Sequence, residues 1–501
     1  MKPIGPRGSR VCRILGRMVL GLGALYLLLL IPASDPVVPN PVKSESFAWK
    51  QDEFWSALEA QFKEARSLGC ERLASRIDFS FSGFAQSLNE VAANRLTPED
   101  LRFDLLETNL FRLAPLIGAC TSRLSDYVQI MTRMREVVKE QSLHWNLNSP
   151  DARRRIYRLL YGGRAALEEV MLQAPKEIVP GLVRGHDESL RTPASNVLGV
   201  AIHSGDILVS RGGAATSALI ARGNDYAGNF SHVALVHVDE TTQRVSVIEA
   251  HIDRGVAIAS VEDYLADKKL RVMVLRLRAD LPPIGADPML PHRAATAALR
   301  EAQAHHIPYD FEMNYRDHQK LFCSEVASAA YENHGVKLWM GISHISAPGV
   351  MSWLSAFGVR HFETQEPSDL EYDPQLSVVA EWRNPETLFK DHADNAVIDV
   401  MLEGADHGEK LTHSWHLLPF GRLAKAHSVV MNFFGRIGPV PEGMSAVAAL
   451  RNKKFSQKHG AIKARLVTLA AEFKTQNGHV APYWELVRLA RQAKKEIDAA
   501  P

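Results

Sequence analysis

Apolar and polar positions follow different rhythms along the chain. From about Phe47 to Gly181, apolar residues recur every three or four positions, as in "LTPEDLRFDLLETNLFRLAPLIGACTSRLSDYVQIMTRMREVVKEQ". That spacing predicts several antiparallel helices, with Thr97, Pro98 and Glu99 as a capped start. Near Asn196 the rhythm shortens to two, in β-branched runs bounded by turn residues: "GDILVSR", "FSHVALVHV", "RVSVIEAHI" and "RVMVLRLR". These runs predict a small antiparallel sheet. A helix over Pro291–His305, a short strand at "PYDFEMN" and a helix opening near Cys323 follow. Beyond about Val359 the pattern is mixed, then helical, ending in the amphipathic stretches "GAIKARLVTLAAEFKTQ" and "APYWELVRLARQAKKEID". No internal repeat is visible.

The N-terminus has its own logic. Lys2, Arg7, Arg10, Arg13 and Arg17 precede the charge-free run "MVLGLGALYLLLLI" from Met18 to Ile31. Basic then apolar is an export signature, although the run is shorter than the roughly 18 residues that favour a full span. Ala33 offers a small residue for cleavage, so residues 1–34 are either a cleaved signal peptide or an uncleaved membrane anchor. Residues 35–46, rich in proline, read as an extended spacer. The body of the protein is therefore expected in the periplasm or cell envelope. It divides into a helical domain over 47–181, a catalytic domain over 196–359 and a mostly helical C-terminal region over 360–501.

At 501 residues the chain exceeds what one core supports. With 46% hydrophobic residues, 23% charged and a net charge of +1, it carries no electrostatic commitment to a polyanion, and no nucleic-acid partner is expected. Only Cys12, Cys70, Cys120 and Cys323 occur. In an oxidising compartment Cys70 and Cys120 could pair and leave Cys323 free; both could equally stay reduced and buried.

Cys323 carries the chemical question. In "CSEVASAAYENHG" it stands at the start of a helix that Gly335 ends. Backbone amides and the macrodipole there favour a thiolate, lowering an ordinary thiol pKa of about 8.5 toward roughly 3.5 to 7.5 when a cation is near. A small buried hydrophobe is the bland alternative. The partners decide between them. His232 shares a strand face with Ala234, Val236 and Val238, while His237 points the other way. If Val238 pairs with Gln243 across a four-residue loop, His232 falls directly opposite Glu249, with Cβ atoms about 4.5 to 5.5 Å apart. A carboxylate so placed fixes the tautomer of an imidazole base. The alternative is a plain cross-strand pair on a solvated face, and a one-residue slip would separate the two.

These residues resemble a known group, the circularly permuted papain-like amidases (YaeF/YiiX-like) of the NlpC-type cysteine peptidase superfamily. The matching elements are "SGDILVS" at Ser204–Ser210, "FSHVALV" at Phe230–Val236, "VIEAHIDRGV" at Val247–Val256, and "PYDFEMN" followed by "LFCSEV". Their order is diagnostic, because the histidine strand comes first and the cysteine helix last. The resemblance spans roughly Val197 to Val359. It implies an α+β, permuted papain-like fold in which a small sheet packs on a cysteine-bearing helix. It maps the nucleophile onto Cys323, the base onto His232 and the orienting residue onto Glu249.

The mechanism it implies is thiolate attack on an acyl carbonyl, a thioester intermediate and release by water or another acceptor. The expected substrate is a peptide, amide or lipid-acyl group of the envelope, with no cofactor and no metal. A lipid acyltransferase using the same residues, or a scaffold with a vestigial site, are the alternatives. Of the remaining polar residues, Asp206 reads as a turn cap, Tyr309 and Asp310 as the family's "YD" pair in the cleft or scaffold. His305, His306 and His318 read as loop histidines, and Arg211–Gly213 is too short for a phosphate loop.

Overall fold

The computed structural model describes residues 6–32, 38–39 and 46–499, with side chains from Arg17 or nearby onward. The expected cleavage position Ala33 and most of the spacer over 35–46 lie outside the described residues, as does Lys2. The side chains of Arg7, Arg10, Cys12 and Arg13 lie outside them too.

The period-two runs form one antiparallel sheet. Its strands, in spatial order, are Leu182–Arg184, Leu376–Arg383, Lys269–Leu277, Ile207–Gly212, His232–Val238, Val245–His251 and Gly255–Ser260. The central strands are nearly continuous apolar runs because both faces are covered. On one face Val209, Val233, Leu235 and Ile248 meet Ala294 and Ala295 of the helix Leu290–Ala304. Val326, Ala327 and Tyr331 of the helix Cys323–Glu332 cover the same face. On the other, Leu208, Ala234, Val236 and Val274 meet Val197, Val200 and Ile202 of a small hairpin, and Tyr264. Each buried Val, Leu and Ile side chain among these contributes roughly 1.5–3 kcal/mol, which fixes the cysteine-bearing helix against the sheet.

The helical pattern from Phe47 becomes five helices: Glu53–Leu68, Cys70–Ala92, Leu101–Ala119, Leu124–Ser142 and Pro150–Gln173. Cys70 and Cys120 are joined in a disulfide, with Cα atoms 5.2 Å apart. Toward the C-terminus, Pro385–Asp406, Ala446–Asn477 and Tyr483–Ala499 share a core with Pro348–Phe357.

Two local expectations are corrected. Asp100, not Thr97, caps the helix Leu101–Ala119, since its carboxylate accepts from Arg102 N at 3.0 Å. The "PYDFEMN" segment is a turn with a single bridge, Tyr309 to Leu321. The reason is Asp310, whose carboxylate accepts from the backbone amides of Glu312 at 3.0 Å and Asn314 at 2.5 Å and so curls the chain.

A buried ion network joins the regions. Arg271 on the sheet pairs with Glu168 of the helix Pro150–Gln173 and, through Nε at 2.7 Å, with Asp391 of the helix Pro385–Asp406. Arg164 pairs with Glu371, and with Glu381 at 2.5 Å. Such pairs hold only while every partner is present, so they set the orientation of the helices on the sheet more than they add stability.

Candidate active site

The histidine and the glutamate meet. His232 Nε2 lies 2.6 Å from Glu249 Oε2, but not by the register expected. Val238 pairs with Val245, so Ala234, not His232, stands opposite Glu249. The loop keeps its four residues and starts later. Asp239 pairs with Arg244, its amide donating to the Arg244 carbonyl at 3.0 Å, and its carboxylate holds the amides of Thr241 and Thr242. The shift is two residues, which preserves the face; a shift of one would have lost it. Glutamate is long enough to bridge the diagonal.

Continuing the same register brings His251 opposite His232. Their rings lie 5.7 Å apart, and His251 Nε2 is 3.0 Å from the other Glu249 oxygen, Oε1. Glu249 therefore sits between two imidazoles. His251 went unnoticed in the sequence, although its spacing of two from Glu249 on a strand was the available signal.

The electrostatics follow. Burial alone would raise the Glu249 pKa, but contacts with His232 and His251 outweigh it and hold the carboxyl well below the usual range. For His232, burial lowers the pKa and Glu249 only partly restores it, leaving the imidazole below its ordinary value. A neutral ring with Nε2 against a carboxylate carries its proton there, so Nδ1 is the basic nitrogen. Nδ1 makes no hydrogen bond among the described residues.

Cys323 is the first residue of its helix, unpaired and 5% exposed. Its Sγ lies 3.8 Å from the carbonyl oxygen of Ser231, the residue before His232, and makes no hydrogen bond to the imidazole. Alternation places the His232 ring on the Ala234 side of its strand, whereas the cysteine helix covers the Val233 side. The expected activation by the helix start is not what this environment produces. Burial, with a contribution from Glu366, pushes the thiol pKa up to about 12. At helix position three, Glu325 accepts from Phe322 N at 3.0 Å, and burial raises its pKa to about 9. This helix start thus lies near the carboxyls of Glu325 and Glu366, whose pKa values burial raises.

The other candidates sort simply. Asp206 grips Arg276 through two 2.8 Å contacts and accepts from His203 N at 2.8 Å. It is placed by Gly205, whose φ of 97° and approach to Pro291 leave no room for a Cβ. Asp310 shapes its turn. His306 pairs with Glu442 at 3.0 Å. Among the described residues no group of three or more His, Cys, Asp and Glu is arranged to hold a metal. Arg211 lies in the buried ion network, 3.2 Å from Asp391.

Residues 201–380 match a family model described as permuted papain-like amidase enzyme, YaeF/YiiX, C92 family. No curated protein matches. Among solved structures, the chain is similar to the crystal structure of the metalloprotein yiiX from Escherichia coli O157:H7. The two share 18% identity over 36% of this chain and 97% of that one, with a TM-score of 0.28.

Proposed function

We propose, from the premise that residues 201–380 form a domain of the permuted papain-like amidase family, that this protein is a thiol hydrolase acting on an amide or related acyl bond. The hydrolase class rests on the family match; the residues and the substrate are the reading offered here. Cys323 is the nucleophile, His232 the base and Glu249 the residue that orients it. One observation supports this assignment: the 2.6 Å contact of His232 Nε2 with Glu249 makes Nδ1 the basic nitrogen, one residue along the strand from the Ser231 carbonyl that the thiol touches.

In the reaction the His232 ring swings from the Ala234 side of its strand toward the thiol, which leaves the Ser231 carbonyl and passes its proton to Nδ1. Sulfur then attacks the acyl carbon. The bond to the leaving group breaks, the imidazolium returns the proton to that group, and a thioester remains on Cys323. Water, deprotonated by the same nitrogen, cleaves the thioester and regenerates the thiol. The amide at the helix start is the natural donor to the oxyanion.

An exported, membrane-associated location belongs to the same proposal. The helix Pro6–Leu29 leads into the contact of Tyr26 with the His416 carbonyl at 3.1 Å, and Arg422 binds the carbonyls of Leu29 and Ile31. The neighbouring helix Leu418–Phe433 exposes Phe420, Val430 and Phe433, with Phe434 beside it, an apolar face suited to a lipid surface. Among the described residues, no helix is long and apolar enough to cross a membrane. Such a face favours a lipid-linked substrate, for which acyl transfer would use the same three residues.

A non-catalytic role has its own support in the buried, high-pKa thiol. Alkylation by iodoacetamide at pH 7.5 separates the two readings. A catalytic Cys323 labels faster in the wild type than in His232→Ala, and incubation with envelope extract leaves an acyl mass on it. Equal slow labelling, and no adduct, would establish the scaffold instead.

A further inference from the structure

From Lys410 to Lys454 the chain carries seven Lys and Arg residues and a single acid, Glu442, in a protein whose net charge is +1. Most of this stretch is the helix Leu418–Phe433 and the chain leading into the helix Ala446–Asn477. Phe420, Leu423, Val430 and Phe434 recur at helical spacing on one face, with Phe433 beside them and Trp415 in the turn before. All six are between 53% and 84% exposed, whereas a helix on a water-soluble body turns such a stripe inward. Charge surrounds the stripe. Arg436 lies just past its C-terminal end, and Lys454 Nζ reaches Thr412 Oγ1, just before Trp415, at 2.7 Å. Both cations are exposed, and neither meets a carboxylate among the described residues. Arg422 donates to the carbonyls of Leu29 and Ile31, and Lys425 to those of Pro441 and Glu442, so neutral acceptors leave their charge uncancelled. The Glu442 carboxylate is taken up by His306 at 3.0 Å.

Two occupants fit such a face poorly. A second copy would set cations against cations, with no carboxylate of either stripe to offset them. The N-terminal helix meets the stripe at its own end, where Tyr26 and Phe420 place their ring centres 6.4 Å apart, but it does not lie along it, since residues 16–28 are themselves exposed. At about 1.5 Å per residue, the run Met18–Ile31 reaches roughly 21 Å, short of a hydrocarbon core of about 30 Å. A second apolar surface beside it would add to so short an anchor.

An exposed aromatic and aliphatic stripe flanked by unpaired cations matches the acyl boundary of a bilayer with anionic headgroups. We propose that the helix Leu418–Phe433 lies flat in the surface of an anionic phospholipid bilayer, with its apolar face among the acyl chains and Arg436 and Lys454 at the phosphates. This rests on the membrane-associated reading above and deepens it by naming the lipid charge and the element that meets it; it does not depend on catalysis at Cys323. The docked segment is also tied to the catalytic domain. Phe311 packs with Val440 and Met444, and the turn that carries it bridges from Tyr309 to Leu321, two residues before Cys323.

The test uses the full chain and vesicles of phosphatidylcholine, alone or mixed with phosphatidylglycerol, whose brominated acyl chains quench tryptophan on contact. In Phe433→Trp, quenching beyond that of the wild type reports the face itself, whatever the N-terminal helix does. Saturable extra quenching is expected with the mixed vesicles, with affinity roughly tenfold or more weaker on phosphatidylcholine alone. Adding Leu423→Asp with Val430→Asp should abolish the extra quenching while the N-terminal helix still holds the chain to the vesicle. If that variant does not fold, Arg436→Glu, at an exposed cation, should remove most of the preference for phosphatidylglycerol. A chain that never binds vesicles would overturn both this inference and the membrane-associated reading. Binding without extra quenching, or extra quenching indifferent to lipid charge, would overturn this inference and leave that reading standing. A dimer in solution that Leu423→Asp with Val430→Asp dissociates would overturn it too, assigning the face to a second copy.

Discussion

Glu249 stands opposite Ala234 in the sheet, yet it is His232, two residues along, that its carboxylate contacts at 2.6 Å. The contact works on the diagonal because of the length of glutamate. Glu249→Asp should therefore break it while keeping the charge, and Glu249→Gln should keep the reach while losing the charge. In Glu249→Gln the His232 pKa, already low through burial, is expected to fall further, because its main opposing influence is gone. Histidine titration followed by NMR checks this. If the proposed reaction holds, turnover in Glu249→Gln should drop by about two to four orders of magnitude.

That two-residue offset also marks how far the sequence could be read. Strand alternation located the shared face of His232 and Glu249, and the turn residues gave the loop its length. What decides the register is Asp239, whose carboxylate binds the Thr241 and Thr242 amides and holds residue 239 at the loop's base. The helix at Cys323 was legible from its small residues and from Gly335. Its chemistry was not, because the groups that set it, Ser231 and Glu366, arrive from distant parts of the chain. Nothing local to "LFCSEV" distinguishes a buried thiol from an exposed one.

The thiol should have an alkylation profile with two limbs. Its main rise is expected well above pH 9, toward about 12, since burial and Glu366 disfavour the thiolate. A smaller limb near neutrality would report the few molecules in which the proton has moved to His232, and His232→Ala should abolish that limb alone. Labelling rates from pH 6 to 11, with the modified peptide identified, provide the measurement. A single limb centred near 8.5, the ordinary thiol value, would contradict the buried environment described here.

Glu325 gives a stability prediction. Its pKa is raised to about 9 in the fold, chiefly by burial, against an ordinary value of 4.5. A raised pKa means that the native state holds the proton more tightly than the unfolded chain. Stability is thus fully present below about pH 4.5 and is lost as the pH climbs toward about 9. Glu325→Gln mimics the protonated acid and should flatten this loss, gaining on the order of 1–3 kcal/mol over wild type at pH 8 and little at pH 4. Urea unfolding at the two values decides it; equal differences at both would mean that Glu325 does not titrate in this window.

The Cys70–Cys120 disulfide closes a separation of 50 residues between two helices of the N-terminal group. A loop of that length gives an entropic stabilisation of about 4 kcal/mol as an upper guide. Thermal unfolding should shift down under reductant, and Cys70→Ser with Cys120→Ser should reproduce the shift without altering Cys323 labelling. An unchanged midpoint would show that the bond does not form, and would weaken the expectation of an oxidising location.

Arg271 tests whether the helical regions and the sheet are one folding unit. It sits between Glu168 of the N-terminal helices and Asp391 of the C-terminal ones, and is essentially without solvent contact. Arg271→Met removes a strand cation paired with both acids; among the described residues this leaves Glu168 to His392, Arg164 and Arg383 and leaves Asp391 to Arg211. The cost should be about 3–5 kcal/mol, far above a surface substitution. The double change Arg271→Met with Asp391→Leu should cost more still, since it also strips the fully buried Arg211 of the carboxylate it pairs with. A further loss in a two-state urea transition would show that Arg211, Arg271 and Asp391 act as one network; recovery would show that Asp391 is compensated by Arg271 alone.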